Sequence, residues 1–293
     1  MLRFIGIRIL TAIPVLFGVA TIVFFMMRVL PGDPAQLMLY ETGASGAEVE
    51  QLREQLGLND PLYIQFWHYL SNVVQGDFGQ SFYTKQYVTT MLADQFGSTL
   101  ELTLAAMLIS TTLGVTLGVI SAIKQHTWVD SASMVFALAG VSLPSFWLGL
   151  MLIFLFSLRL GWLPTVGSSS LKHLILPAVT LGIGGAAIIA RLVRSSMLEV
   201  LRQEYVVTAR AKGLSAYAVT ILGLQFGYLL GGTVVVETVF SRQGIGRLAV
   251  VAIKGKDFDV IQGWALFVAT IYIFVNLLVD ISYAWLDPRI RYR

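Results

Sequence analysis

The sequence predicts an all-α integral membrane protein with six transmembrane helices and both termini in the cytoplasm. Three observations predict it. Of 293 residues, 56% are hydrophobic and only 13% charged, where an ordinary soluble domain carries about 25% charged residues. The mean hydropathy is +0.75, which calls for lipid as solvent. Finally, the apolar residues fall into six nearly uncharged runs. Each is close to the ~20 residues that cross ~30 Å of hydrocarbon at 1.5 Å per residue.

The first run, residues 9–27, follows Arg3 and Arg8. The same pattern can open a cleaved signal peptide. This run, however, is longer than a signal core, and Pro31-Gly32-Asp33 is not a small-x-small cleavage site, so residues 1–30 are assigned to a first transmembrane helix. Further runs lie at 102–123, 131–158, 174–190, 214–236 and 260–279. With no water inside the hydrocarbon, the backbone must bond to itself, so each run is expected to be helical. The third is longer than a span needs, and Pro144 at its middle is expected to kink or interrupt it. The fourth is short and carries Pro177, Gly182, Gly184 and Gly185, which makes it the least regular of the six.

Basic residues set the direction. With the N-terminus inside, segments 1–8, 124–130, 191–213 and 286–293 are cytoplasmic and hold 11 Lys and Arg in 46 residues. The outer segments 28–101, 159–173 and 237–259 hold nine in 112 residues. Basic density is thus about three times higher inside, as the positive-inside rule requires.

The only large extramembrane piece, residues 31–95, is then periplasmic. Within it, residues 47–56 form an amphipathic pattern with Val49, Leu52 and Leu56 on one face and Gly57 as its stop. The aromatic stretch LYIQFWHYLSNVV (62–74) suits a membrane interface. This segment fits either a lid on the outer helix ends, which is preferred, or a cap that docks an extracytoplasmic partner. A second outer segment, 241–259, holds the apolar run 248–253. It is too short to span, and is either re-entrant or laid along the interface. On the inner side, residues 191–215 form a long, helix-forming connection with small residues Thr208, Ala209, Ala211 and Gly213. Arg202, Arg210 and Lys212 lie beside them. Small residues would let another protein's surface approach closely. An ordinary positively charged loop that only fixes topology fits equally well.

Several chemistries are excluded. There is no cysteine, so neither disulfides nor thiolate metal sites can form. His68, His126 and His173 have no ligand spacing. No phosphate-cradling G-x-x-x-x-G-K-[ST] loop occurs, and no constellation supports nucleophilic or acid–base catalysis. The span interiors carry no Asp, Glu, Lys, Arg or His, and Glu101, Glu237 and Asp280 sit only at the ends. Ion-coupled carriers display such residues and inverted repeats. A passive pathway energised from elsewhere is therefore expected, with a self-sufficient channel or ion-coupled carrier as the competing class and a membrane enzyme as a remote one.

A series of strings then carries a resemblance: RVLPGDPA (28–35), QLGLNDPLYIQFWHYLSNVVQGDFGQS (55–81), SLPSFWLGL (142–150), GWLPTVG (161–167), RLVRSSMLEVL (191–201), EYVVTARAKGLS (204–215), LGLQFGYLLGGTVVVETVFSRQGIGRL (222–248) and DPRIRY (287–292). In this order they resemble the membrane permease subunits of bacterial ABC importers in the dipeptide, oligopeptide and nickel group. FWHYLSN and GWLPTVG look most like the glutathione-importing branch. The resemblance implies a subunit that forms half of a translocation pathway in the inner membrane. It pairs with a second homologous permease subunit, with two ATP-binding subunits that hold ATP and magnesium, and with a periplasmic substrate-binding protein. It implies neither nucleic acid nor any cofactor in this chain. Peptides are the implied cargo, with nickel or another small solute as the alternative.

Residues 96–293 would be a five-helix permease core whose cytoplasmic segment 195–216 resembles the family's ATPase-coupling motif. The matching positions are Glu204, Tyr205, Thr208, Ala209, Arg210, Ala211, Lys212 and Gly213. Ser145, Trp147, Gln225 and Tyr228 are candidates for the pathway wall, though each also fits helix packing. One departure stands out. The family continues after Ala-Lys-Gly with a second short helix of about 14 residues, whereas here Ser215 leads almost directly into AYAVTILGLQ. Either the chain lacks half of its coupling element, or a stretch is skipped. The second is preferred because the flanks match, and it expects a Cα step around 215–219 wider than the ~3.8 Å of a trans peptide.

Overall fold

The computed structural model describes residues 2–29, 33–39, 45–201 and 214–286. Among them the structure is helical: α1 (Leu2–Val29), α2 (Pro34–Leu39), α3 (Gly46–Gln55), α4 (Leu62–Val74), α5 (Val88–Ile123), α6 (Trp128–Ser142), α7 (Ser145–Leu152), α8 (Lys172–Leu201), α9 (Leu214–Val239), α10 (Ile245–Gly255) and α11 (Phe258–Leu286). The only β-type pairing among the described residues is an isolated antiparallel bridge, Gln80 to Tyr87. Four helices among those residues, α1, α5, α8 and α11, are long and apolar enough to cross a bilayer. A fifth span is counted if α6 and α7 form one. α9, at 26 residues, covers the expected run 214–236.

The break in the third run falls where proline demands it. α6 ends at Ser142, Leu143 is extended, and Pro144 opens α7 from the N-cap. The two segments meet at 104°, so the run is a corner. Past α7 the helix widens into a π turn, Ile153–Arg159. The fourth run, expected to be the least regular, is a continuous 30-residue helix that takes Pro177 inside it. The expected break at 215–219 is absent, because α9 runs from Leu214 without interruption.

The chain divides into two compact units: Gly6–Gln95 with Leu248–Ile273, and Met1–Ile5 with Phe96–Arg247 and Phe274–Arg293. In the first, α3 begins with a capping box. Ser45 accepts from the Glu48 N–H, and Glu48 accepts from the Ser45 N–H at 2.7 Å, meeting donors that the first helical turn leaves unpaired. It stops at Gly57, whose φ of +63° suits the left-handed exit. Leu52 of this helix joins Met27 and Phe258 in a small core. α4 lays Phe66 and Tyr69 against Phe24 of α1, with ring centroids 5.1 and 5.4 Å apart. Its other side leaves Leu62, Tyr63, Trp67 and Val74 exposed.

In the second unit, a core of Leu102, Ala106, Leu176, Ala178, Leu181, Leu229, Val236 and Phe240 joins α5, α8 and α9. Glycine makes the α5–α8 contact possible. A Cβ on Gly114 would lie 2.8 Å from the Ala186 carbonyl oxygen, and one on Gly118 would lie 2.7 Å from that of Ala190. The backbones therefore touch directly, as small-xxx-small helix pairs in membranes do.

Candidate functional site

The eight expected coupling positions, Glu204, Tyr205, Thr208, Ala209, Arg210, Ala211, Lys212 and Gly213, lie outside the described residues. The structure does describe the helix that leads to them. Near the end of α8, Arg194 donates from Nε to Asp130 Oδ1 at 2.9 Å and from Nη2 to Asp130 Oδ2 at 2.8 Å. Arg194 Nε also lies 2.9 Å from Ser121 Oγ, and the Ser121 hydroxyl donates to Asp130. The His126 N–H completes the set at Asp130 Oδ2, 3.2 Å away. Three helices, α5, α6 and α8, are thus tied by one bidentate ion pair, the geometry in which guanidinium and carboxylate bind most strongly. No sequence motif marks this clamp. Its one visible signal is an acidic residue in the first turn of α6, with Arg191 and Arg194 in the C-terminal half of α8.

A second cluster fixes the start of α10. Glu237 is fully buried and accepts from Thr99 Oγ1 at 2.6 Å, from the Gly246 N–H at 2.9 Å and from the Arg247 N–H at 3.0 Å. Thr99 Oγ1 in turn accepts from the Ile245 N–H at 2.9 Å. Beside it Arg242, only 1% exposed, pairs with Glu101 of α5. A carboxylate at a helix N-terminus satisfies unpaired N–H groups and complements the helix dipole. Glycine is required opposite it, since a Cβ on Gly244 would meet Glu237 Oε1 at 2.3 Å. In the sequence Glu101 and Glu237 only mark span ends, yet they organise the turn between α9 and α10.

The four candidate pathway residues separate. Gln225 is buried on α9 against α8, where an added Cβ on Gly185 would stand 2.0 Å from its Nε2. Within this chain it packs between helices, and its amide nitrogen has no hydrogen-bond partner among the described residues. Tyr228, one turn on, is exposed, as is Trp147 of α7, while Ser145 is half-buried at the corner after Pro144. The three histidines stand in unrelated settings. His68 lines a cavity in the first unit, the positive φ of His126 turns the chain between α5 and α6, and His173 bonds to Ser170 at 2.8 Å.

Residues 1–103 match the N-terminal family of binding-protein-dependent transport system membrane components. Residues 114–219 and 216–292 match the family described as binding-protein-dependent transport system inner membrane component. The glutathione transport system permease proteins GsiC of Escherichia coli K12 and of Shigella dysenteriae are each 45% identical over 307 aligned positions, covering 100% of both chains. That alignment is 14 positions longer than this chain. The two family matches overlap at 216–219, beside Ser215, where the expected second short helix would follow. Two inward-facing crystal forms of the MetNI methionine ABC transporter share the fold. One aligns with a TM-score of 0.54 over 68% of this chain and 97% of that one at 16% identity; the other gives 0.55 over 67% and 96% at 17% identity. Matched by both families almost end to end and aligned throughout with these permeases, the chain belongs to the membrane permease subunits of binding-protein-dependent ABC importers.

Proposed function

We propose that this permease carries peptides, with glutathione the leading cargo, into a bacterial cytoplasm as half of a translocation pathway in the inner membrane. The observation that carries this reading is the 45% identity, over the full length of both chains, to permeases named for glutathione transport. Both termini are cytoplasmic in this reading, α6 with α7 and α9 count as spans three and five of six, and residues 31–95 face the periplasm. A second homologous permease completes the pathway, and a periplasmic binding protein delivers the cargo. Two separate subunits bind ATP and magnesium and perform the hydrolysis, because this chain has no phosphate-cradling loop. They engage segment 195–216 through Glu204, Tyr205, Thr208, Ala209, Arg210, Ala211, Lys212 and Gly213. The clamp at Arg194 supports this reading, since it would pass motion of that segment to α5 and α6 as one rigid body.

The test is reconstitution. The chain, its partner permease, the ATPases and the binding protein are placed in proteoliposomes, and uptake of labelled glutathione and dipeptides is followed. Uptake should need both ATP and binding protein. Uptake by the lone chain, without an ATPase, would overturn the reading in favour of a channel or carrier.

A further inference from the structure

The first unit contains a cavity of about 440 Å³, within the range of small-molecule sites. Its walls are the end of α1, the α3–α4 turn, one face of α4 and the start of α11. On α4, Gln65, His68 and Tyr69 lie one turn apart and all line it, so a polar stripe on this otherwise aromatic helix faces inward.

Arg28 is held there by its own neighbours. Its guanidinium stacks 3.5 Å from the Phe24 ring centroid, and its Nε donates to Gln65 Oε1 at 3.0 Å. It has no carboxylate within ion-pair distance among the described residues. Asp259 lines the same cavity, also without an ion pair, and accepts a backbone N–H from Gln80. The Tyr69 hydroxyl is buried with no hydrogen-bond partner among the described residues. Burial pushes its phenol up to about 12, so it remains an O–H donor at neutral pH.

Arg28 and Asp259 attract each other across the cavity without forming an ion pair among the described residues, so each keeps hydrogen-bonding capacity that a ligand can use, and the buried Tyr69 hydroxyl is costly unless something pairs it. The two signs ask for different things. A carboxylate would satisfy Arg28 and Tyr69 together, through charge-assisted hydrogen bonds. An ammonium would satisfy Asp259, with Glu54 and Asp60 also on the wall. A simple anion would face three carboxylates, and a simple cation would face Arg28. We infer that this cavity is a reception site for a small zwitterion carrying both a carboxylate and an ammonium, of the kind a short peptide presents. The inference rests on the peptide-import reading above, and it places a weak binding step in this unit.

The full chain in lipid nanodiscs is titrated with alanyl-alanine and with reduced glutathione, binding being read by saturation-transfer NMR. Alanyl-alanine should bind saturably. Its C-terminal amide and its N-acetyl derivative should each bind about ten- to a hundredfold more weakly, the value of one charged hydrogen-bonded pair. Arg28→Gln should weaken the acid and erase its advantage over the amide, while Arg28→Lys restores part of it. Asp259→Asn should do the same for the free amine against the acetylated form. These ligand-side comparisons use the unaltered protein, so they hold even where a variant folds poorly. Equal binding of acid and amide, or an unchanged preference in Arg28→Gln, would overturn the inference. Peptide uptake by the complete importer separates the two claims. Uptake without Arg28-dependent binding removes this site alone, whereas no peptide uptake in any arrangement removes the peptide reading and the inference with it.

Discussion

Arg194 and Asp130 meet through two parallel hydrogen bonds, 2.9 and 2.8 Å, with Ser121 closing the third side. The pair lies just before segment 195–216, so it joins the end of α8 to α5 and α6 at the edge of the expected coupling element.

Breaking this pair should cost both stability and transmission. Arg194→Gln leaves the Asp130 carboxylate largely buried without its cation, a loss of about 1–3 kcal/mol. Thermal melting of the detergent-solubilised importer should drop accordingly. In assembled complexes, stimulation of ATP hydrolysis by the binding protein should fall while basal hydrolysis persists. A variant carrying both Arg194→Asp and Asp130→Arg should recover part of each; no recovery would mean the helices are held by packing alone.

Glu237→Gln is the sharper probe of the α9–α10 turn. The carboxylate accepts from three donors, and a glutamine offers one oxygen while turning its own N–H groups toward them. The expected cost is about 1–3 kcal/mol. Hydrogen exchange at the Gly246 and Arg247 amides should speed up before any other part of the unit does. Unchanged exchange would show that the turn holds without the carboxylate.

The direct α5–α8 contact makes opposite predictions for glycines of one helix. Gly118→Leu must force the backbones apart at Ala190, an overpacking cost of about 1–3 kcal/mol. Gly97→Ala, on the same helix with nothing within 4 Å of the new Cβ, should stabilise by up to about 1 kcal/mol through helix propensity. Melting temperatures of the two variants should move in opposite directions.

The capping box of α3 should be visible in pH. Hydrogen bonds from the Ser45 N–H and hydroxyl hold the Glu48 carboxyl below its ordinary 4.5. A depressed carboxyl contributes stability that is present above the ordinary value and is lost as pH falls through the lowered one. Protection of the α3 amides should therefore decline on acidification through that window. Ser45→Ala should flatten this dependence and cost about 1 kcal/mol of helix stability.

Coupling can be tested by restoring length. A chain lengthened at 215–219 by 14 residues, the excess of the 307-position alignment over this chain, should assemble with the same ATPases. Comparison with the unlengthened chain then measures what a second short helix at that place adds. If hydrolysis per transported peptide is unchanged, the first element, 204–213, suffices. Arg210→Ala in the natural chain should then weaken coupling.

What could be read in advance followed from local chemistry. Pro144 has no N–H and Gly57 adopts a left-handed exit freely, so the corner and the end of α3 were visible as single residues. The long apolar runs fixed where helices would lie. What stayed hidden depends on contacts between distant residues. Glu237 meets Thr99 across 138 positions and Arg242 meets Glu101 across 141; no periodicity marks such partners. The 114–118 glycine pair was present as a G-x-x-x-G spacing, but its meaning needed the opposing Ala186 and Ala190 carbonyls. Gln225, named as a possible pathway residue, turned inward because Gly185 leaves room for its amide.

The right angle at Leu143–Pro144 also constrains how this half of the gate can travel. Proline fixes one backbone torsion and supplies no N–H for a helical bond, so α6 and α7 have no low-energy path to merging into one straight rod. Any thrust arriving along α6 must be turned sideways by the elbow, as a bell crank converts a push into a swing.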